Sequence, residues 1–258
     1  MKLLRLAALA GALVALEASP AIGGTTLSVP GASNPFLAGM PSGTTCCGGD
    51  SAPGQSPVLA GAVTAGSTLT FTSLSGGVSF SGGVPTDGPD GNSGSLVSTA
   101  VFEGGATVIN GIAGYNNTPV DALIGVFLGP GLPTTISPLP TDLDFGPSGL
   151  TTSFASLSPG LQQIFFIGDG LTGTGSGSVQ NFIVPAGATR LYLGTVDGFG
   201  WSNNTGAISV TVNGLATGVT GVPEPATWAM MLAGIGMIGG ALRLRGRQAF
   251  ASPLLDAA

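Results

Sequence analysis

The chain has 258 residues, and Gly (46) and Pro (19) together make about a quarter of it. With 43% hydrophobic and only 7% charged residues it can pack a core, and it reads as many short strands joined by turns, which excludes a helical bundle and wholesale disorder. It has no histidine, which excludes Ser-His-Asp and Cys-His catalysis and imidazole-bound zinc. Between Gly23 and Val222 the only cation is Arg190, against nine acids, a formal charge of −8. Such a surface repels nucleic acid and anionic lipid, and suits a neutral ligand or a hard cation such as calcium.

The N-terminus, Met1-Lys2-Leu3-Leu4-Arg5, precedes an apolar run over 6–16 and the small residues Ala18, Ser19, Ala21 and Gly23. This order predicts a secretory signal peptide, in helical form, over 1–23, cut between Ala18 and Gly24; the alternative is a buried N-terminal helix. Residues 24–57 lack periodicity and are predicted as an extended lead-in. They hold the only cysteines, Cys46-Cys47. An exported chain permits disulfides, but neighbouring cysteines close only a strained ring, leaving a bond to another chain or two free thiols; no function is assigned to them.

Strand signals follow over 58–213. Ser67–Thr72 alternates polar and apolar, Ala122–Leu128 is continuously apolar, and Gln162–Ile167, Val179–Val184, Thr189–Val196 and Ala207–Val212 are further candidates. The spacing predicts an all-β fold with a single β-sandwich or barrel. The Pro-rich stretch 132–159 is predicted as an insertion, and 214–222 as a linker.

One constellation carries chemistry. The strand ending at Val196 is followed by Asp197, the loop Gly198-Phe199-Gly200-Trp201-Ser202, then Asn203-Asn204-Thr205-Gly206 and another strand. A carboxylate, two amide oxygens and turned-in loop carbonyls are hard ligands of the kind calcium takes, about 6–8 at a time. The same residue types also make an ordinary hairpin turn.

At the C-terminus Val222-Pro223-Glu224-Pro225 precedes 226–242, which has no charge, and then Arg243, Arg245 and Arg247. The run is predicted as a short transmembrane helix with its arginines on the cytoplasmic side and a tail over 248–258. The prolines place the helix start at or after Pro225. Pro223-Glu224-Pro225, with Trp228-Ala229 beyond it, resembles the PEP-CTERM sorting signal, in its Trp-Ala variant. The resemblance implies a sorting signal over 223–247, processing by an exosortase near the motif, transient anchoring in the inner membrane and delivery to the cell surface or medium. A permanent single-span anchor is the alternative.

The stretch Pro185–Val212 resembles the C-terminal hairpin of calcium-dependent galactophilic lectins, which are galactose-binding-like β-sandwiches of jelly-roll type. Asp197, Asn203 and Asn204 match that family's strand-Asp-loop-Asn-Asn pattern, Ala122-Leu123-Ile124-Gly125 resembles another of its strands, and Phe80 stands where it uses an aromatic residue whose carbonyl binds the ion. The loop containing Asp90 falls where the lectins bring a second loop to the site. The resemblance implies Ca2+ held by Asp197, Asn203, Asn204, a main-chain carbonyl within Gly198–Trp201 and the Phe80 carbonyl. A sugar would sit on the ion, with Asp197, Asn203 and Asp90 near its hydroxyls and Trp201 or Phe199 against its apolar face. The lectins also use a histidine, which this chain lacks, and their loop is one residue longer.

Three readings follow: an exported calcium-dependent carbohydrate-binding module for an extracellular polysaccharide of the biofilm matrix; a structural or adhesive matrix protein without a small ligand; and a two-carboxylate glycosidase. No spacing among the acids selects a catalytic pair, so the chain is expected not to be an enzyme.

Overall fold

The structure is a computed structural model that describes residues 23–135 and 140–216. Within them the regular secondary structure is almost entirely strand. In chain order the principal strands are β1 (Thr25–Pro30), β2 (Val58–Ala62), β3 (Thr68–Ser79), β4 (Asn92–Val97), β5 (Thr118–Val120), β6 (Leu123–Leu128), β7 (Ser156–Leu157), β8 (Ile164–Phe166), β9 (Asn181–Ile183), β10 (Arg190–Thr195) and β11 (Thr205–Asn213). A single helical turn, α1, covers Thr99–Phe102.

Two main sheets result. One has five strands in the order β1-β11-β3-β9-β7, the other four in the order β8-β6-β10-β2. Pairing is antiparallel except between β7 and β9. The sequence pattern explains the layering. In β11 the apolar residues alternate, and Ile208, Val210 and Val212 are buried while their neighbours are half-buried or exposed. β6 is a central strand, buried at every position, and accordingly reads as an unbroken apolar run. Both sheets feed one hydrophobic cluster that includes Phe71, Phe127, Phe165, Phe182, Leu193 and Ile208. Gly125 fits its place in β6 because Phe165 crosses over it, and a Cβ there would stand 2.5 Å from the ring.

The segment predicted as a lead-in is part of the fold. β1 runs along β11 from Thr25↔Val212 to Pro30↔Ala207, and Phe36, Leu37 and Ala38 are buried. The physical reason is that β1 completes the edge of the larger sheet, covering backbone groups that β11 would otherwise leave open. The stretch predicted as an insertion is likewise partly built in: β7 belongs to the larger sheet, Leu143–Asp144 pairs with Tyr115–Asn116, and Phe145 is buried. The signal helix and the transmembrane helix fall outside the described residues. Among the described residues no helix is long and apolar enough to cross a membrane.

Candidate functional site

β10 and β11 are joined by the loop that carries the constellation. β10 ends at Thr195, a 3-10 turn covers Trp201–Asn203, and β11 begins at Thr205. The loop is held from below by Asp50, which is fully buried. Trp201 N–H donates to its Oδ2 at 2.8 Å and Ser202 N–H to its Oδ1 at 3.1 Å, while Asn34 Nδ2 donates to Oδ2 at 2.9 Å. Asp50 therefore caps the first amides of the turn. Gly48, from the same segment as Asp50, lies against the Phe199 ring, its φ of +75° suiting a glycine.

Asp197 is nearly sealed from solvent, 5% exposed. Its carbonyl accepts from the Tyr115 hydroxyl at 2.5 Å, and its Oδ1 from Phe199 N–H at 3.3 Å. Its Oδ2 is buried with no hydrogen-bond partner. Burial pushes the Asp197 carboxyl above the ordinary carboxylate range, against the pull of Asn204 and of the Phe199 and Gly198 amides. Asn204 stands beside it, close enough to favour the charged form, yet leaves Oδ2 without a donor. The Asn204 side chain donates through Nδ2 to Gly31 O at 3.1 Å, so its amide oxygen faces away from that carbonyl; this Oδ1 too is buried without a partner. Asn203 is exposed at the mouth of the same turn, and its main-chain oxygen approaches Gly82.

The Phe80 main chain reaches this region by a route the sequence does not show. Phe80 N–H donates at 3.2 Å to Oδ2 of Asp121, a residue that sits between β5 and β6 and is fully buried. Asp121 Oδ1 is a third buried oxygen without a partner. The Asp121 carboxyl is pushed up to about 7 by burial and by Asp87, and it also feels Asp197. Among the described residues no cation answers these acids. Arg190, the only one in this part of the chain, turns its guanidinium to the carbonyls of Gly129 and Gly131.

The structure corrects two expected ligand contacts. Trp201 is fully buried, donates from Nε1 to Thr195 O at 2.9 Å and packs edge-on against Phe36, so its ring cannot stack on a sugar. Asp90 is turned to another turn: its Oδ1 accepts Asp169 N–H at 2.8 Å, and Asp87 of the same loop is the acid that faces Asp121. The exposed aromatics here are Phe199 (56%), Phe80 (41%) and Phe102 (46%), the last on α1 with its ring over Gly198. The sequence reading missed Asp121, Asp50 and Phe102.

Among the described residues no three Asp, Glu, Cys or His side chains form a metal cage by themselves. A cation site here needs amide and main-chain oxygens, and the unpartnered buried oxygens of Asp197 and Asn204 fit that requirement. Cys46 and Cys47 are free thiols, and Asn34 Nδ2 donates to Cys46 Sγ at 3.2 Å.

Residues 221–247 match the family model described as the PEP-CTERM protein-sorting motif. Pro223, Glu224, Pro225, Trp228 and Ala229 fall inside it. The motif implies an exported, membrane-transiting protein sorted by an exosortase. Neither the curated proteins nor the solved structures include a match.

Proposed function

We propose that the exported β-domain is a calcium-dependent carbohydrate-binding module, not an enzyme, which holds an extracellular polysaccharide at the cell surface after exosortase processing. The observation that carries this reading is the set of buried oxygens without donors, on Asp197 and Asn204, in a strongly acidic domain whose one arginine is engaged elsewhere. An unpartnered buried acceptor costs about 1–3 kcal/mol, more when charged. A divalent ion removes that cost.

On this reading the two main sheets are a galactose-binding-like sandwich of jelly-roll type, and the β10–β11 hairpin is its ligand end. Asp197, Asn203, Asn204 and the Phe80 carbonyl hold the ion. The bound ion supplies a positive centre for two vicinal hydroxyls; Asn203, at the mouth of the turn, orients them. Phe199 and Phe102 offer apolar rings to the sugar face, the role that buried Trp201 cannot take. The acidic surface favours a neutral glycan over a uronate or sulfated one.

The test is retention of the full-length chain, in mild detergent, on immobilised neutral polysaccharides with 2–5 mM calcium (roughly the excess that a weak extracellular site needs). Binding that a chelator releases and that Asp197→Asn abolishes is the expected result. No calcium-dependent retention on any neutral glycan overturns the reading in favour of a structural matrix protein.

A further inference from the structure

Asp121 stands beside this site although neither motif nor spacing points to it. It is 0% exposed, and its Oδ1 has no hydrogen-bond partner. Its backbone explains the position. Asp121 N–H donates to Val196 O at 2.8 Å, while Val196 N–H donates to Ala122 O at 3.0 Å. Two successive residues between β5 and β6 thus face the single residue Val196 just beyond β10, in the pattern of a β-bulge, and Asp121 takes a φ of +66°. A bulge re-aims a side chain, here at the end of the ladder where β10 runs into Asp197. The Phe80 amide fixes Oδ2 from the far side and leaves Oδ1 without a donor.

Asp121 faces Asp87 and also feels Asp197, and carboxylates so placed repel unless a cation or a proton lies between them. We propose that Asp121 is a direct ligand of the same divalent cation, so that Asp121 and Asp197 together match its two positive charges. This rests on the calcium reading given above and deepens it. One ligating carboxylate would leave the coordination shell positive. Two balance the ion within that shell, and Asp87 beside Asp121 adds negative charge around it, which disfavours anionic sugars and leaves uncharged polyhydroxy ligands to bind by hydroxyl coordination.

Asp121 also offers a clean variant. Its φ of +66° lies in the left-handed region that glycine enters freely, so Asp121→Gly removes the carboxylate without straining the backbone. Calcium is titrated calorimetrically into the full-length wild type and into Asp121→Gly, Asp121→Asn and Asp197→Asn, with metal-free melting curves alongside. The expected result is a melting temperature of both Asp121 variants at or above wild type, with calcium affinity lowered at least a hundredfold in Asp121→Gly and at least tenfold in Asp121→Asn. Folded Asp121 variants that bind calcium like wild type, while Asp197→Asn does not, overturn the inference and leave the calcium site itself intact. A wild type that takes up no calcium overturns both.

Discussion

Asp50 makes a demanding prediction because nothing about it looks functional. Replacing it by alanine removes acceptors from three donors: Trp201 N–H at 2.8 Å, Ser202 N–H at 3.1 Å and Asn34 Nδ2 at 2.9 Å. The first and last of these bonds are buried. Bonds to a charged acceptor contribute about 1.5–3 kcal/mol each, and a buried donor left alone costs about 1–3 kcal/mol. Taking the two buried bonds in full and the part-buried one at half gives a loss of about 4–7 kcal/mol. A domain of this size loses about 2–4 °C of melting temperature per kcal/mol, so the expected drop is about 8–28 °C. Asp50→Asn keeps one acceptor oxygen and should lose about half as much. The assay is thermal unfolding followed by circular dichroism in chelator, which separates the effect from any ion. Because Asp50 sets the turn that presents Asn203 and Asn204, calcium affinity should fall as well. A drop of less than about 2 °C for Asp50→Ala would refute the view that this carboxylate holds the turn.

Phe199→Ala should leave the melting temperature within about 2 °C, since the ring is mostly exposed, yet weaken glycan retention severalfold; unchanged retention removes Phe199 from the site. Asp142 has both carboxylate oxygens buried without a well-formed hydrogen bond, and burial holds its carboxyl above the usual range against the weaker pull of the Gly114 amide. An acid whose folded-state value is raised binds its proton more tightly when folded, so its contribution is present at low pH and lost as pH rises through the raised value. Asp142→Asn should therefore raise the melting temperature at pH 7.5 and change it little at pH 3; equal shifts at both pH values contradict this. Replacing Pro223-Glu224-Pro225 by alanines should keep the chain in the membrane fraction, and unchanged release, followed by immunoblotting of cells and medium, contradicts exosortase dependence.

The parts of the fold that were legible in the sequence are those whose information is local. β6, β10 and β11 announce themselves through an apolar run or a period-two alternation, and the turn between β10 and β11 through its Asp, Gly and Asn residues. β1 was not legible, because Thr25–Pro30 is mostly exposed and has little apolar signal; it is a strand through its partner β11. Trp201 was misjudged for a related reason. An aromatic residue in a Gly-rich loop looks the same whether it faces ligand or core, and the deciding partner, Phe36, lies in the stretch that seemed structureless. Asp121 and Asp50 are far from Asp197 in the chain and meet its loop only through strand pairing and a long-range cap. The sorting motif, by contrast, is contiguous and was readable in full.

The most direct measurement is anomalous diffraction from a crystal grown in calcium. The account predicts one strong peak at about 2.3–2.6 Å from Asp197 Oδ2, Asn204 Oδ1 and Asp121 Oδ1. Density there that fits only water, with those three oxygens hydrogen-bonded and no anomalous signal, contradicts it.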